Sequence, residues 1–192
     1  MAKTFAHAVL GVSILAGSVA AGVPARATVW KNYKNENFCM GASGGHMTPG
    51  TPIILWDCDS HPDQSWGEAN PQQVRGNTSY HTYYQIYDEE EPAPENAASM
   101  CVALGQNGSI TYENPAVIWN CPVVTWDQFF WPAYGFNDGN GHACYVFISA
   151  KAQIESPNLW EVLEPYMFYM NDGNPVVINQ EVGNSAEYWC AY

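Results

Sequence analysis

Basic side chains are scarce in this chain. Among 192 residues there are 6 Lys+Arg against 19 Asp+Glu, a formal net charge of -13 at pH 7. Lys3 and Arg26 both fall in an N-terminal leader, so the rest of the chain has 4 basic side chains. Nucleic-acid binding by phosphate neutralisation and polybasic docking to a membrane both need clustered Lys or Arg, and both are excluded. Charge of either sign is low, at 13% against about 25% in an ordinary soluble domain. The surface therefore relies on amides, hydroxyls and rings. No Cys-x-x-Cys pair occurs, which removes zinc ribbons and thioredoxin-like redox sites. His46, His61, His81 and His142 are scattered and not at metal-ligand spacing, so no metal or cofactor is implied. Beyond the leader, no apolar run is long enough to span a bilayer.

What is abundant is aromatic: 8 Trp, 12 Tyr and 7 Phe. That is ample apolar area for one folded domain, and it argues against disorder. Residues 1–27 read as a secretory signal peptide. Lys3 supplies the basic start, Ala8 to Val23 the apolar run, and Ala25-Arg26-Ala27 the small-residue cleavage site. The run is short and rich in Ala and Gly, which separates it from a membrane anchor. Residues 28–192 form the expected mature domain, secreted and extracellular. All 6 cysteines lie in it, an even number that favours disulfides in an oxidising compartment. Six cysteines allow 15 pairings, and sequence order alone does not choose among them.

The chain repeats itself. Gly50-Thr51-Pro52-Ile53-Ile54-Leu55-Trp56-Asp57-Cys58 matches Glu113-Asn114-Pro115-Ala116-Val117-Ile118-Trp119-Asn120-Cys121. A degraded third copy is Gly173-Asn174-Pro175-Val176-Val177-Ile178-Asn179-Gln180-Glu181. Each copy is a turn, a Pro and a short apolar strand. Downstream come Asp63-Gln64-Ser65-Trp66, Asp127-Gln128-Phe129-Phe130 and Ala186-Glu187-Tyr188-Trp189; upstream of each strand lies Cys39, Cys101 or Cys144. The period is about 60 residues, the mark of a repeat architecture.

This pattern resembles the ricin-type β-trefoil lectin family, also described as a carbohydrate-binding module, over Val29 to Tyr192. The family's marks are Cys…Leu-Trp-x-Cys followed by Gln-x-Trp. Copy one matches best, through Leu55-Trp56-Asp57-Cys58 and Gln64-Ser65-Trp66. Copy two has Phe130 for the last Trp. Copy three has Asn179 for the Trp, Glu181 for the Cys and Glu187 for the Gln. The resemblance implies an all-β trefoil, with insertions between copies one and two and within copy three. It implies that Trp66, Phe130 and Trp189 are core residues. It implies sugar contacts by Trp56, Asp63 and Gln64 in copy one and by Trp119, Asp127 and Gln128 in copy two. The family's hydroxyl-binding carboxylate, two residues after the first Cys, falls on Gly41, Ala103 and Val146, so it is missing. The repeat pairs Cys39 with Cys58 and Cys101 with Cys121. In copy three Glu181 holds the partner position, which leaves Cys190 for Cys144.

The other motifs read as turns or surface. Gly41-Ala42-Ser43-Gly44-Gly45 matches Gly-x-Ser-x-Gly, but the prolines after it forbid the helix that a nucleophile elbow needs. Asn137-Asp138-Gly139-Asn140-Gly141 lacks the late Glu of a calcium loop and reads as a turn. Asp88 to Glu95 reads as an exposed acidic loop, with a weak Ca²⁺ site around Asp88 to Glu91 as an alternative. Ser156 to Pro165 reads as one short helix, opened by Pro157 and stopped by Pro165. Asn77 and Asn107 head glycosylation sequons. The expectation is a secreted, monomeric, non-catalytic protein that binds a polysaccharide or glycoconjugate, with no nucleic-acid or membrane partner. The competing expectation is a trefoil protein-interaction module, such as a protease inhibitor. Should the two Trp pockets be silent, Trp160, Tyr166 and Tyr169 are the next aromatic surface.

Overall fold

The structure, a computed structural model, describes residues 28–75, 79–89, 99–121 and 125–192. The leader, Asn77 with Thr78, and the 90–95 part of the acidic segment lie outside the described residues. The chain is all-β, in three units of four strands. The first holds β1 (Thr28–Asn32), β2 (Phe38–Ala42), β3 (Ile53–Asp57) and β4 (Ser65–Arg75). The second holds β5 (Tyr80–Asp88), β6 (Met100–Leu104), β7 (Asn114–Asn120) and β8 (Phe129–Asn137). The third holds β9 (Ala143–Ser149), β10 (Glu161–Pro165), β11 (Val176–Gln180) and β12 (Trp189–Ala191).

The first and last strands of the units close a six-stranded antiparallel barrel. Its ring runs β1–β4–β5–β8–β9–β12 and back to β1. Closure removes free edges. The middle strands form three hairpins over one end, β2–β3, β6–β7 and β10–β11. These hairpins hold one another: Pro52 bridges to Val117, Pro115 to Val177 and Pro175 to Ile54. A proline has no N–H to lose, so it suits the edge of such a contact. This is the β-trefoil, with insertions as the extended β4–β5 hairpin and the segment between β9 and β10.

The core repeats in layers of three. Trp30, Ile86 and Phe147 form one layer; Met40, Val102 and Leu163 another; Leu55, Ile118 and Ile178 a third; and Trp66, Phe130 and Trp189 the last. The last three are fully buried. The indole N–H of Trp66 donates to the Met40 carbonyl at 2.9 Å, and that of Trp189 to the equivalent Leu163 carbonyl at 2.9 Å. Phe130 has no such donor.

Disulfides join Cys39 to Cys58, Cys101 to Cys121 and Cys144 to Cys190. The first two staple β2 to the end of β3 and β6 to the end of β7. The third is different, because Cys144 faces Cys190 across β9 and β12. Strand register corrects the expected equivalence of Cys144 with Cys39 and Cys101. Cys39 pairs with Trp56, Cys101 with Trp119, and Val162 with Asn179. Val162 is therefore the third member of that set.

The helix expected over 156–165 is also corrected. The helix α1 is Ala150–Glu155, with the Ser149 hydroxyl accepting from the Ala152 N–H at 3.3 Å as its N-cap. Glu161–Pro165 is strand β10, five residues in register with β11. The ladder and the burial of Leu163 override the local helix signal.

Replacing Trp66 by Phe, the residue at the equivalent place in unit two, leaves the Met40 carbonyl without its donor. The expected loss is about 1–3 kcal/mol, read as a lower urea midpoint at unchanged slope.

Candidate functional site

Strand alternation creates the surface clefts. In β3, Ile53 and Leu55 point into the core, so Ile54 and Trp56 point out. In β7, Ala116 and Ile118 point in, so Val117 and Trp119 point out. Trp56 is 44% exposed and Trp119 42%. Each indole stands at one side of a cleft whose floor is apolar.

Cleft one is a cavity of about 200 Å³ lined by Ala42, Gly44, Gly45, Ile54, Trp56, Asp59, His61 and Asp63. Asp63 comes from the 3-10 turn Pro62–Gln64. His61 Nδ1 hydrogen-bonds an Asp63 carboxylate oxygen, and the His61 backbone N–H donates to Asp59 Oδ1 at 3.0 Å. A Cβ added to Gly41 would lie 3.2 Å from Asp63 Oδ2. The carboxylate missing from strand position 41 is thus replaced in space by Asp63, reaching in from the turn.

Cleft two is larger, about 420 Å³, with Leu104, Gln106, Asn107, Val117, Trp119 and Asp127 among its lining. Asp127 comes from the equivalent turn Trp126–Gln128. A Cβ at Gly108 would sit 2.9 Å from Asp127 Cβ and Cγ, and φ there is +75, so only glycine fits.

The two motif glutamines lie beneath the clefts rather than in them. Gln64 is buried; its amide donates to the Asp57 carbonyl at 2.8 Å and its oxygen accepts from the Asp59 N–H at 3.3 Å. Gln128 is buried; it donates to the Asn120 carbonyl at 2.9 Å and accepts from the Gln85 amide at 2.8 Å. Both satisfy backbone groups that hold the turns carrying Asp63 and Asp127.

The third unit inverts the arrangement. Register pairs Gly41 with Ile54, Ala103 with Val117, and Glu164 with Val177. The third carboxylate position is Glu164, not Val146. The turn position that holds Asp63 and Asp127 elsewhere is here Ala186. Asn179 replaces the indole, and its amide donates to Glu164 Oε1 at 2.6 Å. Glu164 is fully buried, and its Oε2 has no hydrogen-bond partner among the described residues. Burial pushes its pKa up to about 7, with the Glu187 charge adding to the rise and the Asn179 hydrogen bond opposing it. Glu187 takes over the scaffold role of the glutamines, accepting from the Val182 and Gly183 N–H groups at 2.9 and 3.0 Å. At the position of Trp56 and Trp119 this unit has Asn179 and no ring, and its carboxylate is out of reach of solvent.

Three contributors escaped the sequence reading: Glu164, the His61 partner of Asp63, and the Gln106–Asn107 wall of cleft two. The insertion between β9 and β10 concealed the first, and the other two depend on contacts that spacing does not carry. Among the described residues, no group of three or more His, Cys, Asp or Glu is arranged to hold a metal ion.

Neither a family model nor a curated sequence matches the chain. Solved structures do resemble it. The designed three-fold symmetric protein ThreeFoil has a TM-score of 0.64 at 11% identity, over 85% of this chain and 96% of that one. The Rhizoctonia solani agglutinin has a TM-score of 0.62 at 12% identity, over 88% and 95%. An exo-β-1,3-galactanase from Clostridium thermocellum has a TM-score of 0.63 at 11% identity; the match spans 86% of this chain and 30% of that one. Identity this low shows the fold, which is the β-trefoil.

Glu164 yields a pH prediction. Its folded pKa, about 7, lies above the ordinary 4.5, so the fold favours the protonated form. That contribution is complete below pH 4.5 and is lost as pH rises through 7. Glu164→Gln, which mimics the protonated group, should be more stable than wild type at pH 8 by roughly 1–3 kcal/mol. The advantage should vanish near pH 4, and a pH series of thermal unfolding curves checks it.

Proposed function

We propose that this protein is a secreted, monomeric, non-catalytic carbohydrate-binding protein of the ricin-type β-trefoil class. Its working sites are clefts one and two, through Trp56 with Asp63 and Trp119 with Asp127. Gln64 and Gln128 support them from below. The observation that carries this reading is the same in both clefts: an exposed indole beside an apolar floor, with a carboxylate held by the neighbouring turn. An indole face attracts the partly positive C–H groups of a sugar ring, and a carboxylate accepts from its hydroxyls. Three disulfides, and no helix among the described residues long and apolar enough to cross a membrane, fit an extracellular protein.

Single-sugar affinity is weak, because each hydrogen bond contributes only about 0.5–1.5 kcal/mol net. Two weak sites on one rigid body still hold a polymer through effective concentration. A polysaccharide or a multivalent glycoconjugate is therefore the expected partner. The protein-interaction alternative rests on the acidic segment, whose 90–95 part lies outside the described residues.

The test is retention on insoluble polysaccharides. Trp56→Ala and Trp119→Ala should each lower apparent affinity about 10–100-fold by breaking avidity, and the double variant should not be retained. Circular dichroism establishes that the variants are folded. Full retention of a folded double variant contradicts the assignment.

A further inference from the structure

The barrel has an open end, opposite the hairpins. One step below the core residues of its six strands, on the same face, stand Thr28, Glu68, Tyr84, Pro132, Tyr145 and Ala191. All six are half-buried, and Glu68 is the one charged side chain among them. Burial raises the Glu68 pKa, and neither a hydrogen bond nor a neighbouring charge opposes the rise. No ion pair among the described residues includes it. The titratable groups around it are phenols: Tyr84 on β5, Tyr145 on β9 and, beside Tyr145, Tyr134 on β8. Burial raises the Tyr145 pKa, and the Glu68 charge raises it further. A carboxylate taken out of water without a donor is destabilising, and a cation there removes that cost.

The four basic side chains of residues 28–192 do not supply that cation. Lys31 Nζ lies over the Tyr192 ring at 4.2 Å, Lys34 Nζ donates to the Phe168 carbonyl at 2.9 Å, and Lys151 pairs with Glu155 at 3.3 Å. Arg75 is at the last position of β4, past the irregularity between Ala69 and Gln72. The remaining cation is the α-amino group that removal of the leader creates. Thr28 is held in place from both sides. It pairs with Trp66 of β4, and the next residue, Val29, exchanges backbone hydrogen bonds with Tyr192, both at 3.1 Å. Glu68 is then the diagonal neighbour on the side of the Thr28 nitrogen, about 7–8 Å away between Cα atoms and within reach of a long side chain. We propose that cleavage after Ala27 completes the fold, because the new α-ammonium of Thr28 pairs with Glu68 in the open end of the barrel. Water adds across the Ala27–Thr28 peptide bond under signal-peptidase catalysis, leaving a carboxylate on Ala27 and an ammonium on Thr28. Before cleavage that nitrogen is an uncharged amide, so the pair forms only in the processed chain. This rests on the secretion reading and is independent of sugar binding.

The test is a thermodynamic cycle on the disulfide-bonded protein that starts at Thr28, with its amino group free or acetylated, in wild type and in Glu68→Gln. Acetylation removes the charge without adding a residue. Read by urea unfolding at pH 7, it should lower the folding constant at least about 5-fold in wild type and less than about 2-fold in Glu68→Gln. Equal losses in the two backgrounds overturn the pairing. An NMR pH titration of wild type needs no variant to fold. The Thr28 amino group should titrate above the free-peptide range of about 7.7–8.0, and a value within or below that range overturns the pairing. Mass spectrometry of the protein in the medium of secreting cells should find chains that start at Thr28. Exported chains that start at Ala21, after the other small-residue site Ser18-Val19-Ala20, overturn this proposal and leave secretion standing. Chains that keep the leader and stay in the cells overturn both.

Discussion

Three hairpins hold one another in a ring, and the rest of the molecule depends on that contact. Pro52 meets Val117, Pro115 meets Val177 and Pro175 meets Ile54. The ring explains why a turn, a Pro and an apolar run recur three times. No unit buries its apolar face alone, and each lends an edge to the next. Ile54 and Val117 have two roles, since they receive a neighbour's proline and floor the two clefts. Two residues further along the same strand face stand Trp56 and Trp119. The parity that buries Leu55 and Ile118 leaves those indoles no way into the core.

Each unit places one carboxylate near its cleft position, but from different walls. Units one and two send it from a 3-10 turn, as Asp63 and Asp127, and have Gly41 and Ala103 on the strand. Unit three sends it from the strand, as Glu164, and has Ala186 on the turn. The consequence is chemical. A turn carboxylate reaches a solvent-facing cleft and can accept from a ligand. The strand carboxylate is buried, bonded to Asn179 and pushed toward neutrality. Of the three equivalent positions, two are therefore open clefts and the third is a locked polar cluster.

Much of this was legible in the sequence. The copies around Pro52, Pro115 and Pro175 gave the fold, and the Gln-x-Trp segments marked Trp66, Phe130 and Trp189 as core. Asp63 and Asp127 stood out at the turns. Glu164 did not, because Cys144 has apolar neighbours like those of Cys39 and sits upstream of the third copy. Only the pairing of Val162 with Asn179 shows that Cys144 belongs to another strand. The helix over 156–165 failed for a related reason, since Pro157 and Pro165 are local signals and the ladder to β11 is not.

The central claim is that Trp56 and Trp119 face a sugar while the core tryptophans do not. The most direct measurement is a two-dimensional NMR titration of the indole N–H signals with soluble uncharged oligosaccharides. The account predicts saturable movement of the Trp56 and Trp119 signals and fixed Trp66 and Trp189 signals. Saturable movement confined to other indoles, such as Trp131 or Trp160, or no movement with any oligosaccharide, would contradict it.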